Sequence, residues 1–158
     1  MHKVITVIII LLIVSACYLA GAEEKTMFVL CDPKPENRLC VRRFPKKGAE
    51  ETGYLTCGDK ILTDGKTRNG FVHILGVTED GEGWVHKGYL VEDKPVIEEC
   101  RASIAANGRV KARRYIGGSK ASWLDVLTEV TVYALSEEWA VTSRGYIRTE
   151  FLEVWYEN

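Results

Sequence analysis

Three short blocks recur along this chain in the same order, and that recurrence constrains the fold more than any other feature. Cys40-Val41-Arg42-Arg43 returns as Lys111-Ala112-Arg113-Arg114, Gly70-Phe71-Val72 as Glu138-Trp139-Ala140, and Gly83-Trp84-Val85 as Gly145-Tyr146-Ile147. Tyr89-Leu90 and Phe151-Leu152 close the two series. The spacing between partners shrinks only across turn-rich stretches, so the matching blocks read as strands and the lost residues as loops. The chain reads as a tandem duplication of one small unit.

Each unit reads as all-β. Between residues 28 and 92 the apolar residues come in runs of three to five, as in Gly53-Tyr54-Leu55, Lys60-Ile61-Leu62 and Phe71-Val72-His73-Ile74-Leu75. No stretch keeps a helical period for three turns. Thr63-Asp64-Gly65 and Arg68-Asn69-Gly70 carry residues that tolerate positive φ in tight turns. Pro95 disfavours continued regular structure, so a linker is expected after the first unit. The boundaries read as 1–22 for a signal peptide, 26–95 for the first unit, 96–103 for the linker and 104–158 for the second unit.

The N-terminus explains where such a chain would work. His2 and Lys3 precede an uncharged, mostly aliphatic stretch over residues 4–22, the pattern of a secretory signal peptide. Ala20-Gly21-Ala22 suits an ordinary signal peptidase, whereas Val14-Ser15-Ala16-Cys17 resembles a bacterial lipobox that would leave Cys17 as a lipidated first residue. An uncleaved anchor is the third reading, because 19 residues at helical rise span about 28 Å, near the thickness of a bilayer core. All three put the remainder outside the cytoplasm, either membrane-anchored as a lipoprotein or secreted. The formal net charge of −1 offers no field to draw in a nucleic-acid backbone, so no nucleic-acid partner is expected.

Four cysteines remain beyond the signal: Cys31, Cys40, Cys57 and Cys100. They are disulfide candidates in an oxidising niche and buried thiols otherwise, with the pairing open. With no Cys-x-x-Cys and only His73 and His86 in the mature chain, neither a metal nor another cofactor is expected. Catalysis is not expected either. Cys57 precedes Gly58-Asp59, whose carboxylate is the wrong neighbour for a reactive thiolate, and no serine sits in a Gly-x-Ser-x-Gly elbow. His73 and His86 read as solvated strand residues. Residues 101–120 hold Arg101, Arg109, Lys111, Arg113, Arg114 and Lys120 with no acid, whereas the segment beyond Asp125 is rich in Glu. Such a basic face would suit anionic wall polymers or lipid head groups, but pairing between neighbouring strands is the simpler expectation.

The ordered set Cys40-Val41-Arg42-Arg43, Gly58-Asp59-Lys60-Ile61, Gly70-Phe71-Val72-His73-Ile74 and Gly83-Trp84-Val85-His86-Lys87-Gly88-Tyr89-Leu90 resembles the bacterial SH3-like (SH3b) domain. Cys40 stands where that family often has Asn, and Phe71 where it usually has Trp. The second unit resembles it more loosely, with Leu127-Thr128-Glu129 for the Gly-Asp turn and Tyr146 for the Trp. The resemblance implies two five- or six-stranded barrels in tandem that bind or space without catalysing. It implies a partner in cell-wall peptidoglycan or another wall polymer, or alternatively an envelope protein bound by a lipoprotein that does not touch the wall. By the same analogy Tyr54, Trp84 and Tyr89 are expected as an exposed set flanking one end of the first barrel, with Trp139 and Tyr146 their counterparts in the second. Barrels of this size sit near the lower limit for an independent core, so the two units are expected to pack together.

Overall fold

A computed structural model of the chain describes residues 24–76 and 81–155. The signal-peptide and lipidation readings, Cys17 included, lie outside the described residues. Among the described residues no helix is long and apolar enough to cross a membrane.

Fourteen strands form two seven-stranded antiparallel sheets. In the first unit these are β1 (Lys25–Val29), β2 (Leu39–Arg42), β3 (Glu51–Leu55), β4 (Lys60–Arg68), β5 (Phe71–Leu75), β6 (Glu82–His86) and β7 (Leu90–Val91). In the second they are β8 (Cys100–Ile104), β9 (Val110–Arg113), β10 (Lys120–Leu124), β11 (Glu129–Leu135), β12 (Trp139–Thr142), β13 (Gly145–Arg148) and β14 (Leu152–Trp155). The strand orders, β3-β2-β6-β5-β4-β1-β7 and β10-β9-β13-β12-β11-β8-β14, are the same order shifted by one unit. Even single pairs repeat: Arg42 faces Trp84 across β2 and β6, and Arg113 faces Tyr146 across β9 and β13. A single 3-10 turn precedes the last strand of each unit, at Lys87–Tyr89 and Thr149–Phe151.

Each sheet wraps one core. In the first unit Val29, Val41, Leu55, Ile61, Ile74, Val85 and Leu90 come from all seven strands and meet in one buried cluster. In the second, Ile104, Val110, Leu124, Val132, Ala140 and Ile147 form the equivalent buried cluster, with Leu152 and Val154 of β14 packed against it. The alternation of buried and exposed positions, complete in β11, is what a half-buried antiparallel strand requires. The five- or six-stranded barrel of the resemblance gives way to seven strands in an open sheet, because the outer strands β3 and β7 do not pair with each other.

Three sequence expectations are corrected here. Residues 100–103, assigned above to the linker, form β8 together with Ile104, and this strand lies between β11 and β14. Ala102 and Ser103 gave no apolar alternation to mark a strand, yet both are buried. Thr63-Asp64-Gly65 is not a turn between strands but a register break within β4, where Gly65 takes φ 75°. The hairpin from β4 to β5 turns at Asn69-Gly70, both with positive φ, as a type I′ turn demands. Finally, His73 is buried rather than solvated, since that same bulge aims Asp64 at it.

Candidate functional site

The two units meet through a third apolar cluster that draws Leu30 and Val91 from the first and Ala134, Val141 and Tyr146 from the second. Backbone bonds cross as well. Ile116 N–H donates to the carbonyl of Gly88 at 2.9 Å, and Glu137 N–H donates to Asp93 Oδ2 at 2.8 Å. Val96, in the connection, exchanges two 2.8 Å bonds with Leu135 and so fastens the linker to the second unit. The ammonium of Lys34 lies 5.0 Å from the ring centre of Tyr133.

Beside this junction opens a cleft of about 920 Å³. Its aromatic wall comes from both units: Phe71, His86 and Tyr89 from the first, Tyr115 and Tyr146 from the second. The rings form a continuous chain, edge-to-face at centroid separations of 5.5 Å for Phe71 and His86, 4.6 Å for His86 and Tyr115 and 5.9 Å for Tyr89 and Tyr146, and tilted at 6.0 Å for Tyr89 and Tyr115. Tyr115 is set on two glycines, because a Cβ at either Gly88 or Gly118 would run into its ring. The lining also holds Arg38, Arg42, Lys46 and Lys47, with Asp32 its one acid. Arg42 is partly neutralised by Glu51 at 3.1 Å and anchored by donating to the carbonyl of Ala49 at 2.7 Å.

The electrostatics follow from burial. Burial pushes the Tyr146 and Tyr89 hydroxyls above the usual tyrosine range, so both remain neutral donors at any physiological pH. Burial, helped by the Lys87 ammonium, lowers His86 below its ordinary value, and its Nδ1 accepts the Gly88 N–H at 3.2 Å. In this cleft His86 is a neutral ring that packs and accepts.

The four cysteines are free thiols. Cys31 is buried at the cleft wall, with its Sγ 4.0 Å from the carbonyl oxygen of Asn37; the neighbouring Cys57 thiol holds it above the ordinary range and is itself drawn down to about 7 by Cys31. Asp32 and Asp59 oppose that lowering. Asp59 thus acts on Cys57 in the direction its place in the sequence predicts, and the lowering comes from Cys31. Burial, and then Glu51, raise the Cys40 thiol above its ordinary value, and Cys100 sits on β8.

The predicted aromatic set divides. Tyr89 and Tyr146 line the cleft, while Trp139 lines a separate hollow of about 350 Å³ on the second unit. Tyr54, 54% exposed, is tied to Glu51 at 2.8 Å, and Trp84 packs over His73 at 4.9 Å. These two line neither cavity, so Tyr54, Trp84 and Tyr89 are not one exposed set: Tyr89 is turned into the junction between the units. Sequence reasoning passed over Tyr115 and the cationic rim. The signal for Tyr115 was its place before Gly117-Gly118, small residues against which a ring can lie.

No family model matches the chain, and no curated protein matches it. Solved structures similar to it include NlpC1 from Trichomonas vaginalis, 15% identical over 87% of this chain and 48% of that one, with a TM-score of 0.36. NlpC2 from the same organism is 13% identical over 86% of this chain and 49% of that one, also at 0.36. The chain spans about half the length of either protein.

Proposed function

We propose that this chain is an extracytoplasmic, non-catalytic binding module of the bacterial SH3-like kind that holds cell-wall peptidoglycan in the cleft between its two units. One observation carries the reading: aromatic rings from both units and four cationic side chains line one cavity of about 920 Å³. Aromatic faces suit the apolar sides of sugars and short peptides, and a cationic rim suits the carboxylates of wall stem peptides. Of the two described histidines, His86 lines the cleft and accepts the Gly88 N–H at its Nδ1, and His73 lies between carboxylates and Trp84.

The test is co-sedimentation of the full chain with purified, protein-free peptidoglycan. Wild type should pellet with the wall, and a Lys46→Gln, Lys47→Gln, Arg38→Gln variant should bind about tenfold more weakly, equivalent to about 1.4 kcal/mol. Equal recovery of the two proteins would overturn the proposal.

A further inference from the structure

The second unit carries another concentrated feature, on the sheet face remote from its core. In β9 the buried Val110 and Ala112 alternate with Lys111 and Arg113, and Arg109 continues the outward series just before the strand. The neighbouring edge strand β10 has a bulge between Lys120 and Ser122. Without it, Lys120 and Trp123, three residues apart, would point to opposite faces; the extra residue restores them to the same one. Lys120 therefore stands opposite Arg113, and Trp123 opposite Lys111.

The result is an indole ringed by cations. Lys111 Nζ lies 5.1 Å from the Trp123 ring centre, Lys120 Nζ 5.2 Å and Arg109 Cζ 5.6 Å. Trp123 is 44% exposed, so its cations do not serve to cover a core residue. Among the described residues no carboxylate forms an ion pair with these three, so the expected cross-strand pairing of this basic run with the Glu-rich segment is not what the fold does with them. The hollow of about 350 Å³ beside Trp123 is lined also by Trp139, Arg113 and Arg148, and by no acid. Arg148 lies 5.7 Å from the Trp139 ring centre and is partly neutralised by Glu150 at 3.5 Å and Glu138 at 3.8 Å.

Like charges gathered around one ring repel, and the electron-rich indole face offsets only part of that. An anion in the hollow would relieve the rest. We infer that the Trp123 hollow is a second ligand site, distinct from the inter-unit cleft, which takes one unit of an acidic polysaccharide: its sugar ring lies against Trp123 and Trp139 and its carboxylate meets Lys111 and Arg109, with Lys120 adding its charge from beside the Trp123 ring. Two indole faces in one small concavity fit a sugar ring, and the chain's net charge of −1 disfavours long-range capture of a nucleic-acid backbone.

The full chain is titrated with trigalacturonate, followed by tryptophan fluorescence and calorimetry, with uncharged galactotriose, inorganic polyphosphate, a short oligothymidylate and phosphatidylglycerol vesicles as competing probes. Trigalacturonate should bind saturably and more tightly than every other probe, and added salt should weaken it. Trp123→Ala, and separately Lys111→Gln with Lys120→Gln, should each weaken it about tenfold, while the Lys46→Gln, Lys47→Gln, Arg38→Gln variant binds as wild type. The lysine variant keeps the indole, so it decides the matter should Trp123→Ala fail to fold. Absence of trigalacturonate binding, equal affinity for galactotriose, unchanged affinity in the lysine variant, or tighter binding of polyphosphate, oligothymidylate or vesicles would each overturn the assignment.

Discussion

The phenolic hydroxyl of Tyr146 donates a 2.9 Å hydrogen bond to the backbone carbonyl of Leu30, joining residues 116 positions apart and closing the floor between the two units. Tyr146 is only 5% exposed and Leu30 is fully enclosed. Removing the hydroxyl would strand a buried carbonyl, so Tyr146→Phe should lower unfolding stability by about 1–2 kcal/mol, read from urea denaturation. A variant as stable as wild type would show that the junction does not depend on this bond.

Gly88 sits where the first unit receives Tyr115. A Cβ there would collide with the Tyr115 ring and come 3.0 Å from His86 Cε1. Gly88→Ala should therefore displace Tyr115 and cost about 1–3 kcal/mol by overpacking. Binding in the inter-unit cleft should weaken with it, whereas trigalacturonate binding should not. Two-dimensional NMR shifts confined to the 86–89 and 113–118 segments would confirm the local origin.

His86 predicts a pH response. Its folded-state value is lowered by burial and then by Lys87, so the unfolded chain takes up the proton first. The contribution of the neutral ring is therefore complete above the ordinary histidine range, near pH 6.5, and is lost as pH falls below it. Protonation also ends the ability of Nδ1 to accept the Gly88 N–H. Stability measured from pH 7.5 to 5 should fall in the wild type and vary less in His86→Gln.

Asp64 responds in a more acidic window. Burial works against its charge, but the Lys66 ammonium and backbone N–H, with His73 at 3.0 Å, outweigh it and hold the carboxyl at about 2. A depressed carboxyl contributes above its unfolded value, near 4, and loses that contribution as pH falls toward 2. Asp64→Asn should be less stable by about 1 kcal/mol at pH 7, a figure kept small because the Lys66 end is solvent-screened. The two proteins should converge at pH 2, and a constant difference across the range would contradict the assignment.

Cys57 should be the most readily alkylated of the four described thiols. Its pKa of about 7 rests first on the neighbouring Cys31 thiol. The iodoacetamide rate at Cys57, followed by peptide mass spectrometry, should therefore rise with a midpoint near pH 7 in the wild type. In Cys31→Ala the midpoint should move up toward the ordinary cysteine range.

How much of this was legible in the chain follows from the range of the interactions involved. The recurring blocks placed β2, β5 and β6 and their counterparts β9, β12 and β13, and Asn69-Gly70 marked a hairpin, because strand alternation and turn conformation are decided by residues a few positions apart. β8 was missed because Ala102 and Ser103 are buried by their neighbours β11 and β14 and by no pattern of their own. The cationic face of β9 was written in its alternation, but its convergence on Trp123 needed the bulge in β10, a feature of pairing between strands. Tyr89, Tyr115 and Tyr146 could not be told from ordinary core aromatics until the units were docked. The sequence by itself determined two copies of one all-β unit. Only the tertiary structure decided which aromatic residues meet in the cleft, because that depends on side chains from separate units filling one another's surface, and no local pattern encodes a contact across 116 residues.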